Sequence, residues 1–313
     1  QEAARRKTGL LIFYFIMAVV AIIAAIYFVL AFLFLGLGSE GATDLATIAP
    51  QRLWDPGLFG LVALGTTALV GGGSLFKIAS LASGGHTVAE LLGGRLIHPD
   101  TRDPDERRVL NVVEEMAIAS GTPVPPVYLM DQEPAINAFA AGYSPNDAVI
   151  GVTRGCIQTL SRDELQGVMA HEFSHILNGD MRLNIRLMGV LFGILLIGIT
   201  GWILLRSTMY SNLRARSDSK GGNPLPLIGL ALYIIGYVGV FFGRLIQSAV
   251  SRQREYLADA SAVQFTRNPE GIAGALKKIG ALSEGSRLRN PEAGEAAHMF
   301  FGEGIGGAWL NIM

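Results

Sequence analysis

The sequence predicts an α+β integral membrane protein in which about four transmembrane helices join a mainly helical polar domain carrying a small β-sheet. Composition is the first observation behind this: half of the residues are hydrophobic and only 16% are charged, against roughly 25% in a typical soluble domain. Distribution is the second, because long uncharged stretches alternate with segments as polar as an ordinary soluble domain. Net charge is −1 and no basic run is interleaved with aromatics, so the expected partner is the lipid bilayer and not nucleic acid. Cys156 is the only cysteine, which excludes an intrachain disulfide and a thiolate metal cluster. Any metal must therefore sit on His, Asp or Glu.

Four uncharged stretches, Leu10 to Leu37, Leu58 to Phe76, Leu187 to Leu205 and Leu225 to Gly243, are long enough to cross a hydrocarbon core of about 30 Å. Helices buried in a large soluble core would carry some charge over such lengths. The third and fourth stretches leave open a hairpin that does not fully cross. The first exceeds a secretory signal core and no small-residue cleavage pattern follows it, so a retained anchor is expected. Because the chain begins at Gln1, its ends are expected to be those of a fragment or a processed product. Arg5, Arg6 and Lys7 precede the first stretch, while Glu40, Asp44 and Asp55 outnumber Arg52 after it, which places the N-terminus and the polar stretch in the cytoplasm. Arg206, Arg214, Arg216 and Lys220 make the third connection basic and run against that orientation. The expected organisation is a membrane anchor over 1–82, a first part of a polar domain over 83–186, two further membrane helices over 187–243, and a second part of that domain with a tail over 244–313.

Within the polar stretch, Val109, Val112, Val113 and Met116 have helical spacing over Arg107 to Ala119, and Gly121 supplies a stop. Val127 to Met130, Ala138 to Ala141 and Ala148 to Val152 read as short strands, the last two joined by a Ser144-Pro145-Asn146-Asp147 turn. Ser161 and Glu164 stand in capping-box spacing and open a helix through Met169 to at least Leu177. A shorter helix is expected from Gly271 to Leu282, before a glycine-rich stretch at 302–307.

Residues 171 to 175 read His-Glu-Phe-Ser-His. On a helix, positions four apart lie about 40° apart around the axis and about 6 Å along it, so both imidazoles can reach one ion. Glu172, beside the first, can approach a water without ligating the metal; zinc makes such a water acidic, and a carboxylate can take its proton. Catalytic zinc commonly takes three protein ligands, so a third is needed. Ser251 to Asp259 continues the fourth apolar stretch as a helix, with Glu255 and Asp259 four apart on one face. If the helices are continuous, His175 and Glu255 lie equally far from their apolar stretches, which permits Glu255 to complete the site and Asp259 to orient a ligating imidazole. The plainer alternative is a solvated face paired with Arg252 and Arg254. His86 and His98 lie in loop-like stretches and carry no assignment.

The combination of His-Glu-Phe-Ser-His, Leu-Asn-Gly-Asp at 177–180, two apolar segments and Ser-Arg-Gln-Arg-Glu-Tyr-Leu-Ala-Asp resembles the HtpX and CAAX prenyl protease family of membrane zinc peptidases. Asn137-Ala138-Phe139-Ala140-Ala141-Gly142 is similar to that family's strand beside the active site, and the likeness covers about residues 83 to 265. The resemblance implies a zincin-type catalytic domain with one Zn2+ per chain on His171, His175 and Glu255, Glu172 as base and Asp259 in support. It further implies that Asn137, Ala138, Phe139 and Ala140 pair with an extended substrate, although a core strand is an equal reading of that run. Expected substrates are membrane or misfolded proteins, and the apolar pattern suits a bacterial inner membrane. One departure is the family's His-Pro segment and following arginine, which do not occur before Met313; His298 is the only later histidine. That departure motivates the alternative of a zinc-binding membrane scaffold without protease activity. A channel would want ionisable groups within the spans, and the four stretches contain none.

Overall fold

The computed structural model describes residues 2–36, 54–214, 224–281, 286, 288–290, 293 and 299–301. The chain divides into two compact units, one of Gln1–Lys77 with Gly189–Ala249 and the other of Ile78–Met188 with Val250–Met313.

The first unit is helical. Helix α1 (Glu2–Ala31) ends in a π-helical turn at Phe32–Gly36. Helix α2 (Pro56–Ser80) follows, with parts of α7 (Asp180–Arg214) and α8 (Leu225–Thr266). Four stretches of these helices, Phe13–Phe34, Pro56–Ser80, Asp180–Met209 and Leu225–Leu245, are long and apolar enough to cross a membrane. Their outer faces are apolar too: Phe13, Ile16, Met17, Leu61, Leu64, Phe241 and Phe242 are all exposed, an arrangement that suits lipid and not water. A small inner core, Ile22, Ile26, Val62, Val70, Ile194, Ile197 and Val240, holds the four together. Between α7 and α8 the backbones nearly touch, since a Cβ on Gly236 would stand 2.2 Å from the Gly198 nitrogen; small residues permit such approach. Tyr27, Trp54 and Phe59 pack edge to face and tilted, and the Tyr27 hydroxyl accepts from the Asp55 amide at 2.8 Å. Helix α2 runs a turn beyond the expected Phe76 and takes in Lys77, whose ammonium lies 5.1 Å from the Phe192 ring centre.

The second unit carries the sheet. Helix α3 (Gly85–Leu91) precedes β1 (Arg95–Leu96), and α4 (Pro104–Ser120) leads to β2 (Val127–Met130), β3 (Ala138–Ala141) and β4 (Val149–Thr153). After them come α5 (Arg154–Thr159), α6 (Arg162–Asn178) and, beyond α8, α9 (Pro269–Ala281). Helix α4 starts three residues before its first expected residue because Asp103 caps it, accepting from the Asp105 and Glu106 amides, with Pro104 pre-set for the first turn. Gly121 ends it in the left-handed conformation, φ 70. The strand order is β1-β2-β4-β3, with β2 and β4 parallel and the outer pairs antiparallel. Every residue of β2, β3 and β4 is buried, because both faces are covered. Val127, Leu129, Ala138, Ala140, Ile150 and Val152 join one core with α4 and α6, while Tyr128, Met130, Phe139, Ala141 and Val149 join another with α3. Two covered faces explain strands that read as apolar runs instead of alternating ones. The two-residue β1 pairs with β2 through backbone and is reinforced by charge, with Arg95 paired to Glu106 and Asp131, and Arg154 to Asp131 and Asp103.

Helix α6 forms as its capping box predicts. Ser161 accepts from the Glu164 amide and the Glu164 carboxylate accepts from the Ser161 amide. Lys278 of α9 donates to the same carboxylate at 2.6 Å, tying α9 to this helix start. Leu165, Val168, Met169, Phe173 and Ile176 enter the core, and every residue from Gly167 to Ser174 is buried. The helix stops at Gly179, which is left-handed at φ 71. The expected helix through at least Leu177 thus ends at Asn178, and the condition of continuity into the third apolar stretch is not met: an Asn178-Gly179 pair supplies a left-handed stop. Equal spacing from the apolar stretches therefore measures nothing on the histidine side.

At Gly167 the backbone of α9 packs closely on α6, and a methyl group there would stand 2.5 Å from the Ile272 nitrogen. Gly167→Ala is expected to destabilise this unit by about 1–3 kcal/mol, read as a lowered melting temperature of the detergent-solubilised chain; an unchanged melting curve would count against this packing.

Candidate metal centre

Helix α6 presents His171, Glu172 and His175, and α8 presents Arg254, Glu255 and Asp259. The two Nε2 atoms of His171 and His175 lie 3.2 Å apart. A Glu255 Oε2 lies 3.3 Å from the first and 3.9 Å from the second, and the three donors all fall within 4.8 Å of one another. Ligands about 2.0–2.1 Å from one zinc at tetrahedral angles stand roughly 3.3 Å apart, so this spacing fits a single small cation. The outer imidazole nitrogens fit as well. His171 Nδ1 is 2.9 Å from Asp259 Oδ1, and His175 Nδ1 is 3.1 Å from Asp180 Oδ2. A proton on each Nδ1 donated to a carboxylate leaves both Nε2 lone pairs facing inward, the tautomer a metal needs.

Glu172 supplies an independent test. Its side chain is 1% exposed, and among the described residues neither carboxylate oxygen makes a well-aligned hydrogen bond, the Ala140 backbone alone coming near enough to favour its charge as a donor. A buried carboxylate in that state is costly unless a positive charge or a bound water meets it. Burial pushes its pKa up, opposed by the charges of His171 and His175. For His171, burial disfavours the imidazolium, yet hydrogen bonds to Asp259 and Glu255 and the Glu172 charge outweigh it and raise the pKa to about 9.

The cleft is lined by Ala140 of β3, by His171, Glu172, His175, Asp180, Asn184, Arg254 and Glu255, and by Met299, Phe300 and Phe301. Sequence reasoning brought His171, Glu172, His175, Glu255 and Asp259 forward, and all five meet here. It assigned nothing to Asp180, which accepts from His175 with one oxygen and pairs with Arg254 at 2.8 Å with the other. The signal was available, because an acid directly after a helix-ending glycine opens the next helix beside the preceding one. Arg254 is thus paired within the site, as is Glu255 with the histidines; the side chain of Arg252 lies outside the described residues, and so does His298. Of the four residues expected to meet substrate, Ala140 lines the cleft. Asn137 is fully buried, its Nδ2 donating to the Ser286 carbonyl and its Oδ1 accepting from the Ala138 amide, so its side chain shapes the strand from within. Ala138 and Phe139 meet the segment at Met299–Phe301, through Phe301 N–H to Ala138 O and a bridge between Phe139 and Phe300. Strand β3 is therefore both an edge in pairing and core in burial.

A His-Glu-His helix and a distant carboxylate, in a unit joined to four apolar helices, define a class: integral membrane proteins with a metallopeptidase-type centre. Residues 103–301 match the family described as Peptidase family M48, and the chain belongs to that family. Relatives bearing the name "Protease HtpX homolog" include one from Streptococcus uberis, 33% identical over 279 residues, 89% of this chain and 86% of that protein. Two from Dictyoglomus turgidum and Dictyoglomus thermophilum are 47% and 43% identical over 171 and 187 residues, 55% and 59% of this chain. The match spans little more than half of these last two, 53% and 58% of their lengths.

Metal loading of this centre is expected to displace protons. Ligation needs neutral imidazole, and His171 without a cation keeps its proton up to about pH 9. Zinc binding at about pH 7.5 therefore releases close to one proton per ion from this residue, and affinity falls as pH drops below about 9. Calorimetric titration in two buffers of different ionisation enthalpy counts the protons; none released would contradict the ligand assignment of His171. Asp259→Asn and Asp180→Asn are each expected to weaken zinc binding by about 10- to 100-fold, measured by competition with a chelator, and unchanged affinity would remove those carboxylates from the centre.

Proposed function

We propose that the chain is a zinc metalloendopeptidase of a bacterial inner membrane. In this reading one Zn2+ is held by His171, His175 and Glu255, and the catalytic domain is assembled from residues 83–186 and 244–313. The observation that carries it is the buried Glu172 carboxylate, without a well-aligned hydrogen bond among the described residues, beside three converging donors. A zinc ion held there supplies a Lewis acid that makes water more acidic and polarises a carbonyl.

Glu172 stands at the right place for the proton traffic of peptide hydrolysis. It takes a proton from the attacking water as that oxygen bonds the carbonyl carbon, and delivers it to the leaving nitrogen as the C–N bond breaks. Burial, by raising the carboxyl pKa, brings this group nearer to neutrality than an exposed glutamate and makes it a better base. Asp259 and Asp180 hold the imidazoles in one tautomer, and the edge of β3 at Ala138 and Ala140 receives an extended backbone. Substrates are membrane or misfolded proteins, and the role is quality control in the membrane. The basic residues Arg5, Arg6 and Lys7 support an active site facing the cytoplasm.

Glu172→Gln keeps the shape of the side chain and removes its basicity. Cleavage of an unfolded protein such as casein by the purified zinc-loaded chain is expected to fall by about 10²–10⁴-fold with zinc content unchanged. Undiminished cleavage would reject Glu172 as the base. A chain that binds zinc stoichiometrically and never cleaves would instead favour a metal-binding scaffold.

A further inference from the structure

Among the described residues strand β3 has a strand, β4, on one side only, and an edge strand offers unpaired amides and carbonyls to any extended peptide. In this chain that edge is already met from within. The Phe301 amide donates to the Ala138 carbonyl at 2.9 Å, and Phe300 stands opposite Phe139 in an antiparallel bridge. Their rings meet edge to face, 5.7 Å between centres and 83° between planes, and Phe300 is 9% exposed. The Phe301 ring stands edge-on to the His171 imidazole at 4.9 Å and 86°. Met299, Phe300 and Phe301 line the same cleft as His171, Glu172, His175 and Glu255. An extended peptide paired with β3, its carbonyl brought to the metal donors, would need the space this segment fills.

We propose that Met299–Phe301 is a built-in occupant of the substrate edge, which an extended apolar peptide must displace before it reaches the metal centre. The inference rests on the hydrolytic reading for its consequence, and on geometry for its substance. Among the described residues its backbone pairing is an isolated bridge with one hydrogen bond, while Met299 and Phe300 are buried in one core cluster with Phe139 and Phe301 packs against the other; a longer peptide ladder whose own apolar side chains refill those places can outcompete it. The occupant's own residues, Met-Phe-Phe, indicate what the edge accepts: bulky apolar side chains in extended conformation, which unfolded proteins and membrane segments expose.

Occupancy can be tested without turnover. In the full zinc-loaded Glu172→Gln chain, binding of fluorescein-labelled casein is followed by anisotropy, with Phe301 intact or changed. Phe301→Pro removes the amide that meets Ala138 and keeps an apolar side chain; Phe301→Ala removes the ring over His171. Each is expected to tighten casein binding by about three- to tenfold, the equivalent of one hydrogen bond released in advance. Unchanged or weaker binding would overturn the proposal and make the segment part of the binding platform. Hydrogen exchange with residues 299–301 unaltered provides a second reading, because adding casein should speed exchange of the Phe301 amide. An amide equally or better protected with casein bound would overturn it too. Should the chain with Glu172 intact fail to cleave casein, the hydrolytic reading falls, and these binding measurements still decide whether the edge is self-occupied.

Discussion

The structure depends on one electrostatic constraint: a carboxylate and two imidazoles share an interior in which they cannot satisfy each other. Two Nε2 atoms 3.2 Å apart, each with its outer nitrogen against a carboxylate, point toward the same place, where a cation that takes their lone pairs displaces the His171 proton. Glu172, 1% exposed and without a well-aligned hydrogen bond among the described residues, adds negative charge beside them. Taking such a charge out of water costs several kcal/mol, and a divalent cation is the compact way to offset it. The surrounding carboxylates Asp180, Glu255 and Asp259 raise the negative potential further, which suits a cation and suits nothing anionic.

Much of the second unit serves to hold that point in place. Helix α6 is buried on nearly every side from Gly167 to Ser174, so the rotation that aims His171 and His175 is set by Val168, Met169 and Phe173 in the core. Its end at Gly179 turns the chain sharply, and the turn brings Asp180 back to His175. Arg254 closes the arrangement from α8 by pairing with Asp180, one residue from Glu255. Helix α8 therefore meets the start of α7 through an ion pair and α6 through the candidate ligands. Such coupling makes the spacing of the donors a property of packed backbone and not of free side chains.

How much of this was legible in the sequence differs by the range of the force involved. The four apolar helices, the α6 start at Ser161 and the α4 stop at Gly121 follow from period, capping and glycine conformation, all local. The His-Glu-His spacing and the Glu255–Asp259 pair follow from helical geometry, and they lie together in space as expected. Two-residue β1 has no period to read, and its place rests on pairing with β2 and on Arg95 finding Glu106 and Asp131. The parallel pairing of β2 with β4, with β3 placed outside, is a tertiary choice that strand propensity does not encode. Asp180 stands in the Leu-Asn-Gly-Asp motif, but its role depends on the turn at Gly179 bringing it back to His175 and on Arg254 arriving from α8, and neither contact has a local pattern. The bridge at Phe300 lies more than 150 residues beyond β3 and leaves no trace in local pattern.

The most direct test is X-ray anomalous scattering at the zinc edge on crystals of the zinc-loaded chain. One peak about 2 Å from His171 Nε2, His175 Nε2 and a Glu255 oxygen is the predicted result. A peak bound elsewhere, or Glu255 turned away with no side chain in its stead, would contradict the account.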